Sequence, residues 1–90
     1  MAFYAYMLRC RDGSLYSGWT NDLKKRLKAH NEGCASRYTR SRLPAELVYF
    51  EALPTREAAM RRECALKRLT RSAKLALIEG WEPDAAESLR

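Results

Sequence analysis

Hydrophobic and polar positions near the N-terminus alternate as they do in a half-buried β-strand. Residues 3–9 follow this alternation and carry several aromatic side chains, which favour strands. Residues 10–14 have the composition of a turn, and residues 15–19 form a second short run of apolar and aromatic side chains. The pattern therefore predicts a β-hairpin over residues 3–19.

The length of the hairpin loop decides which tyrosines share a face of the sheet. A two-residue loop at Asp12 and Gly13 would send Tyr6 and Tyr16 to opposite faces. A three-residue loop that ends in a left-handed Gly13 would instead pair Tyr6 with Gly18 and place both tyrosines on one face. Both loops suit the sequence.

A helical pattern follows the hairpin. Thr20 or Asn21 offers an N-cap, and the predicted helix runs to about Asn31, with Gly33 as its terminator. The next ten residues, 34–43, are polar and basic, and we expect them to form a loop.

The second half of the chain contains one strand and two helices. A strand is predicted to follow Pro44, over residues 46–50. A long helix is predicted over residues 55–69, and a shorter helix, capped by Ser72, is predicted to end at Gly80. The order β-β-α-β-α-α indicates an α+β fold, in which helices flank a small three-stranded antiparallel sheet.

The length of the chain, 90 residues, predicts a single domain, which we place at residues 1–80. The hydrophobic fraction of 47% is that of a globular protein and argues against wholesale disorder. Residues 81–90 form an acidic, weakly patterned tail that we expect to be loose. Within it, Trp81 is expected to pack back on the domain.

The net charge of the chain indicates a class of binding partner. The 17 lysines and arginines exceed the 11 acidic residues, which gives a net charge of +6. A basic surface favours polyanions, nucleic acid first, although the charge could also serve solubility alone.

The basic segment 34–43 is the first candidate surface for nucleic acid. Arg37, Arg40 and Arg42 could meet phosphates, and Tyr38 could stack on an exposed base. The alternative is a solvated loop in which Tyr38 anchors the segment to the core.

Three cysteines, odd in number and far apart, predict neither a disulfide framework nor a zinc site. The sequence also lacks the pattern of a signal peptide and an apolar run of membrane-spanning length. These features predict a reduced, cytoplasmic protein without a membrane association.

Two side chains of the first helix lie where a core does not require them. His30 completes an apolar stripe with Leu23 and Leu27, and Arg26 lies one turn earlier on the edge of that stripe. The alternative to a functional role is a core histidine that a backbone carbonyl satisfies, with Arg26 reaching into water.

The long helix repeats this anomaly. At about 100° per residue, Glu63 lies roughly 40° from Ala59, so its carboxylate points towards the domain. An exposed pair with Lys67 would contribute only about 0.3–0.5 kcal/mol, too little to justify an inward carboxylate. A cleft with a cation or a metal ion beside it would justify the placement.

The order of these residues resembles the GIY-YIG nuclease superfamily. Residues 4–6 (Tyr-Ala-Tyr) stand where "GIY" would, and residues 16–18 (Tyr-Ser-Gly) stand where "YIG" would. Arg26, His30 and the late Glu63 then follow in the superfamily's order.

Longer stretches look like the small stand-alone bacterial branch of that superfamily, and the resemblance covers about residues 3–79. These stretches are LYSGWTNDLKKRLKAHN, SRYTRSRLPAELVYFEAL and EAAMRRECALKRL.

The resemblance implies hydrolysis of phosphodiester bonds with one divalent metal ion, Mg²⁺ or Mn²⁺. Glu63 would be the metal ligand, and water molecules would complete the shell. Tyr16 would be the general base or the phenol that orients the attacking water, while Tyr6 would position that water and the phosphate. Arg26 would stabilise the phosphate charge, and His30 would hydrogen-bond within the catalytic network.

The chain departs from the superfamily at three points. Residues 4–6 lack the glycine and isoleucine of the name motif. Trp19 stands where several members have a lysine, and no asparagine follows Glu63. The first departure is expected to affect packing more than chemistry, and the last two predict a sparser site.

Three functions follow from these observations. The first is a metal-dependent endonuclease, selective for a nucleic-acid structure, that acts on DNA in preference to RNA and takes specificity from a partner protein. The second is a nucleic-acid-binding module with little or no turnover, to which Lys67 would add a contact. The third is a small basic interaction protein. An inward carboxylate would repel phosphate unless a metal ion were present, so Glu63 favours the first.

Overall fold

The computed structural model describes residues 2–81, which form three strands and four helices. The elements are β1 (Phe3–Arg9), β2 (Leu15–Thr20), α1 (Leu23–Asn31), α2 (Arg37–Arg40), β3 (Glu46–Leu53), α3 (Arg56–Arg68) and α4 (Arg71–Glu79). The predicted tail at 81–90 lies outside the described residues, except for Trp81. That side chain packs edge-on against Phe50, with ring centroids 5.6 Å apart, as the sequence predicted.

The sheet has the order β2-β1-β3, and both pairs of strands are antiparallel. The predicted α+β fold is therefore confirmed. The central strand β1 is buried along most of its length, since helices cover both faces of the sheet.

The hairpin uses the three-residue loop. Tyr6 pairs with Gly18 across the strands, as that loop requires. The amide of Cys10 donates to the carbonyl of Ser14 at 2.9 Å, and Gly13 has a φ of 84°. A side chain at this φ would be strained, which explains why glycine ends the loop.

Each face of the sheet has its own core. On one face, Met7 and Tyr49 pack against Leu66 of α3, and apolar side chains of α4 extend the cluster. On the other face, Tyr6 and Leu8 pack with residues of α1 and of the segment before β3. The tyrosines and the histidine of the site described below lie on this second face.

The N-cap of α1 is Asp22, and the prediction of Thr20 or Asn21 was wrong. The Asp22 side chain accepts a hydrogen bond from the amide of Lys25 at 3.1 Å. The Thr20 hydroxyl instead accepts from the amide of Asp22, also at 3.1 Å. Several consecutive residues have capping side chains, and only the backbone geometry selects among them.

The start of α4 also differs from the prediction. Helix α4 is capped by Thr70, whose side chain accepts from the amide of Ala73 at 3.1 Å. The predicted cap, Ser72, lies inside the first turn. The cap of α3 at Thr55 agrees with the predicted start of that helix.

The segment 34–43 is not a plain loop, because it contains the short helix α2. The Ser36 side chain accepts a hydrogen bond from the amide of Tyr38 at 3.1 Å and starts the turn. The side chain of Thr39 is then fully buried against α1. A buried hydrophilic residue inside a basic stretch has no periodic signal, so the sequence pattern did not reveal this turn.

Candidate active site

The phenol of Tyr6 crosses the edge strand over Gly18. Tyr6 is 2% exposed, and a Cβ atom built on Gly18 would lie 2.5 Å from its hydroxyl oxygen and 2.7 Å from Cζ. No real Cβ atom makes such contacts. The glycine of the Tyr-Ser-Gly motif is therefore needed for the position of the tyrosine ring.

His30, on α1, forms a hydrogen bond with that phenol. Its Nε2 lies 2.9 Å from the Tyr6 hydroxyl, and its Nδ1 lies 2.8 Å from the Thr39 hydroxyl. The imidazole is fully buried. The alternative of a core histidine with Arg26 reaching into water is therefore confirmed in the burial of His30 and the exposure of Arg26. It is wrong only in the partner, since two hydroxyl groups and not a backbone carbonyl satisfy the ring. Sequence reasoning missed Thr39, although the cap signal at Ser36 could have predicted a helical turn there.

The imidazole of His30 is neutral at neutral pH. Burial, and secondly the nearby guanidinium of Arg26, lower the pKa of His30 from 6.5 to about 4. The ring therefore acts in hydrogen bonds without carrying a charge.

Three other predicted site residues lie around the Tyr6 phenol. Burial raises the pKa of Tyr6 far above its usual value, and the phenol of Tyr16 raises it further. The positive charge of Arg26 opposes these effects, while the negative charge of Glu63 adds to them. The structure thus brings Tyr16, Arg26 and Glu63 within electrostatic range of the Tyr6 phenol.

Tyr16 is half-buried and links several rings of the site. Its ring centroid lies 5.1 Å from that of His30 in an edge-on contact and 6.5 Å from that of Tyr6. Tyr38 stacks on Tyr16 at 6.0 Å. Of Tyr6 and Tyr16, Tyr16 has the greater access to solvent, since Tyr6 is almost fully covered.

Arg26 is exposed and lines a cleft of about 350 Å³ beside the N-terminus of α1. Lys25 and Asp22 also line this cleft, and Cys34 lies on its far side. Within residues 2–81, neither Lys25 nor Arg26 forms a salt bridge, so both cations face the cleft without a carboxylate partner.

Glu63 reaches this region from α3. Its side chain is 19% exposed, and Oε1 lies 3.7 Å from Nζ of Lys67, which is 54% exposed. The i,i+4 pair that the sequence offered as an alternative is therefore present. The carboxylate is the more buried partner of the pair.

The described residues offer one carboxylate to a metal ion at this site. Residues 2–81 contain no cluster of three histidine, cysteine or acidic side chains that could hold a metal ion. This donor set does not fit a zinc or a calcium cage. It does fit Mg²⁺, which binds one or two carboxylates and keeps several water molecules.

The candidate arginines for nucleic-acid contacts, two on α2 and Arg42 just after it, divide into two groups. Arg37 and Arg40 are exposed. Arg42 is instead held by the protein, since its Nε lies 3.1 Å from Oδ2 of Asp12 and its Nη1 donates to the carbonyl of Tyr38 at 2.8 Å. The side chain of Arg42 is therefore less available to a ligand than its neighbours.

Tyr38 contacts the protein as the anchoring alternative predicted. Its ring stacks on Tyr16, and the guanidinium carbon of Arg42 lies 4.0 Å from its centroid. The residue is still 38% exposed.

A polar network on the opposite face of the sheet was not predicted. Arg62 of α3 donates from Nε to Oε2 of Glu51 at 2.7 Å, and the Tyr49 hydroxyl donates to the same oxygen. The sequence pattern does not show which strand residue lies opposite Arg62.

No helix within residues 2–81 is long and apolar enough to cross a membrane.

The geometry above agrees with a family comparison. The family model of the GIY-YIG catalytic domain matches residues 2–76. The chain belongs to the GIY-YIG family. Members of this nuclease superfamily act on nucleic acid, generally as endonucleases, and typically use divalent metal ions.

Similar bacterial proteins of the same size carry names that leave the activity open. UPF0213 protein CPE1444 of Clostridium perfringens is 56% identical over 75 residues, which cover 83% of this chain and 81% of that protein. UPF0213 protein SAG0778 of Streptococcus agalactiae is 50% identical over 76 residues, which cover 84% of this chain and 86% of that protein.

Two similar proteins have solution NMR structures. UPF0213 protein BH0048 of Bacillus halodurans superposes with a TM-score of 0.56 at 44% identity, over 88% of this chain and 84% of that one. Protein EF2693 of E. faecalis superposes with a TM-score of 0.57 at 36% identity, over 86% of this chain and 83% of that one.

Proposed function

We propose that this GIY-YIG protein is a metal-dependent endonuclease that hydrolyses phosphodiester bonds in DNA. The observation that supports this proposal most is the convergence of four residues, from three other elements, on the Tyr6 phenol of β1. These residues are Tyr16, Arg26, His30 and Glu63.

Tyr16 is the proposed general base or the phenol that orients the attacking water. It is the more accessible of the two phenols, and a base must reach the water from which it takes a proton. Tyr6 is less suited to this role, since burial raises its pKa and its hydroxyl already bonds to His30. We assign Tyr6 to the positioning of the water and the phosphate.

Arg26 is the proposed phosphate ligand. Charge spreads over the phosphoryl oxygens in the transition state, and a planar, permanently charged guanidinium suits this distribution. The cleft places Lys25 beside Arg26, so the same surface can hold the flanking phosphate as well.

Glu63 is the proposed ligand of one Mg²⁺ or Mn²⁺ ion. When bound, such an ion neutralises charge on the reacting phosphate and on its leaving oxygen. Binding the ion requires Glu63 to exchange its contact with Lys67, whose ammonium group is then free to meet the nucleic-acid backbone.

Arg37 and Arg40 are the proposed contacts to more distant phosphates, and Tyr38 is proposed to contact a base with its exposed part. The domain carries no separate element for reading a sequence. We therefore propose that it recognises branched, damaged or single-stranded DNA in preference to RNA, with a partner protein supplying further specificity. A cytoplasmic location is proposed on the spacing of the cysteines.

One observation favours a second function, that of a nucleic-acid-binding module without turnover. The Lys67 ammonium group lies 3.7 Å from the Glu63 carboxylate, so this carboxylate does not require a metal ion to be compensated. A binding module with this pair would not repel phosphate.

Cleavage of supercoiled plasmid and of flap, fork and four-way-junction DNA separates the two functions. We expect wild type to cut in Mg²⁺ or Mn²⁺ and not in EDTA, and Glu63→Gln to lose at least about a hundredfold in rate. Glu57→Gln, an exposed glutamate of the same helix, is the control and should cut like wild type. If all three proteins bind DNA but none cuts it, the binding module replaces the nuclease.

A further inference from the structure

One hydrogen-bonded chain runs from the sheet through α1 to α2. The Tyr6 hydroxyl lies 2.9 Å from Nε2 of His30, and Nδ1 of His30 lies 2.8 Å from the Thr39 hydroxyl. The Thr39 hydroxyl in turn donates to the carbonyl of Ser36 at 3.4 Å. Tyr6, His30 and Thr39 are at most 2% exposed, so bulk water does not reach their polar atoms. Each donor in the chain therefore needs an acceptor within the protein.

Only one neutral tautomer of His30 gives every donor an acceptor. With the proton on Nδ1, the ring donates to Thr39, Thr39 donates to the Ser36 carbonyl, and Tyr6 donates to the free Nε2. With the proton on Nε2, the ring would donate to Tyr6, and Thr39 would donate to Nδ1. The phenolic proton of Tyr6 would then have no acceptor among residues 2–81, because His30 is its one hydrogen-bond partner there.

We infer that Thr39 is a positioning residue that holds His30 in the Nδ1-protonated tautomer and thereby directs the Tyr6 proton to Nε2. The lone pairs of the Tyr6 oxygen then remain to accept a hydrogen bond. The tautomer rests on the geometry alone. Its catalytic meaning rests on the proposed nuclease function, in which the bound substrate brings the attacking water to the Tyr6 oxygen, and Tyr6 accepts a hydrogen bond from this water and does not donate one to it.

The position of Thr39 connects this tautomer to the proposed binding surface. Thr39 lies on the single turn of α2 between Arg37 and Arg40, the two exposed arginines proposed to meet phosphates. The turn that would contact nucleic acid thus also supplies the acceptor for the His30 ring. No other side chain bonds to Nδ1 within the described residues.

The ¹⁵N chemical shifts of the imidazole test the inference directly. His30 is the one histidine of the chain, so a long-range ¹H–¹⁵N spectrum shows a single ring without assignment by mutation. At neutral pH we expect Nδ1 to have the shift of a protonated nitrogen and Nε2 that of an unprotonated one. The reverse pattern, two protonated nitrogens, or averaged shifts of a mixture would overturn the inference.

Two variants assign the effect to the Thr39 hydroxyl. Thr39→Val keeps the shape of the side chain and removes the acceptor, so the ring should leave the pure Nδ1-protonated form. Thr39→Ser keeps the hydroxyl and should retain the wild-type shifts. Wild-type shifts in Thr39→Val, or altered shifts in folded Thr39→Ser, would show that Thr39 does not set the tautomer. If Thr39→Val does not fold, the wild-type and Thr39→Ser spectra still decide.

These spectra need no substrate and no metal ion. Absence of cleavage by wild type would therefore remove the nuclease proposal and leave the tautomer result intact. Conversely, an active nuclease with an Nε2-protonated His30 would remove the inference alone.

Discussion

At the scale of single residues, the centre of the site is held by neutral hydrogen bonds and not by ion pairs. His30 is fully buried and bonds to two hydroxyl groups, and its pKa is lowered to about 4. Charged groups such as Arg26 and Glu63 lie around this neutral centre. Because this centre is uncharged, it contains no buried ion that would need a partner.

The lowered pKa of His30 predicts that stability falls in mild acid. In the unfolded chain His30 gains its proton near pH 6.5, whereas the folded protein resists protonation down to about pH 4. The unfolded state therefore binds more protons in this window, and the contribution to the free energy of unfolding is lost as pH falls from 6.5 to 4. At 1.36 kcal/mol per pKa unit, the loss reaches about 3 kcal/mol.

Urea unfolding across that pH range measures this effect. Carboxylates also titrate at the acid end, so His30→Gln is the control that keeps their contribution and removes that of the imidazole. We expect a shallower dependence on pH in the variant. Parallel curves for the two proteins would contradict the prediction.

A second prediction at this scale concerns Gly18. The Gly18→Ala variant would place a Cβ atom 2.5 Å from the Tyr6 hydroxyl oxygen, and the buried ring has no open space to enter. We expect a loss of about 1–3 kcal/mol in the free energy of unfolding, the usual cost of overpacking. Gly80→Ala is the matched control, because its Cβ atom would meet its nearest neighbour at an ordinary 3.7 Å. Equal effects in the two variants would argue against a packing role for Gly18.

The sequence predicted the types of residue at the site better than their contacts. His30 and Glu63 stood out because their polarity conflicts with the helical periodicity around them, whereas Tyr6 was singled out by the hairpin register and the family resemblance. Thr39 did not stand out, since a threonine in a polar stretch conflicts with nothing. Its role depends on a partner nine positions away in the chain, and that pairing exists only once α1 and α2 have packed.

At the scale of elements, the hydrophobic periods predicted the strands and the long helices in the right order, although β3 runs to Leu53, three residues beyond the predicted range 46–50. The chain around α2 was predicted poorly, because a one-turn helix is too short to show a period. The N-caps at Asp22 and Thr70 were displaced by one or two residues from the predicted ones. Neighbouring polar residues compete for each cap, and the tertiary fold selects among them.

The orientation of α3 against the sheet yields a prediction for a pair of substitutions. Arg62 and Glu51 lie 2.7 Å apart, and their side chains are 34% and 28% exposed. The pair links α3 to β3 on the helix that carries Glu63. A double-mutant cycle of Arg62→Met and Glu51→Gln should give a coupling free energy of about 1 kcal/mol, at the upper end of the range for surface pairs.

The same helix supplies the control for this cycle. Lys67 and Glu63 lie 3.7 Å apart, with Lys67 54% exposed, so the corresponding coupling should be only about 0.3–0.5 kcal/mol. Chemical denaturation measures both cycles under the same conditions. A larger coupling for the Lys67 pair would show that the bond to β3 does not fix α3.

At the scale of the whole molecule, the net charge of +6 agrees with the family's nucleic-acid substrates but does not locate them. The structure reduces the number of cations that are available to nucleic acid, because some arginines pair with carboxylates of the protein. Arg42 bonds to Asp12 and Arg62 bonds to Glu51, while Arg37 and Arg40 remain exposed beside the site. Net charge alone would have counted all four arginines equally.

The salt dependence of DNA binding tests this division of the charge. Each phosphate contact contributes a slope of about −0.9 for duplex DNA, or about −0.7 for a single strand, to a plot of log affinity against log salt. Arg37→Gln and Arg40→Gln should therefore each weaken binding and make the slope shallower by about one unit. Arg61→Gln, an exposed arginine of α3 outside the proposed surface, makes the same change in net charge and should leave the slope as it is. Titrations in EDTA keep cleavage from interfering. If all three variants reduced the slope equally, binding would depend on net charge alone, and the assignment of α2 to the nucleic-acid surface would be wrong.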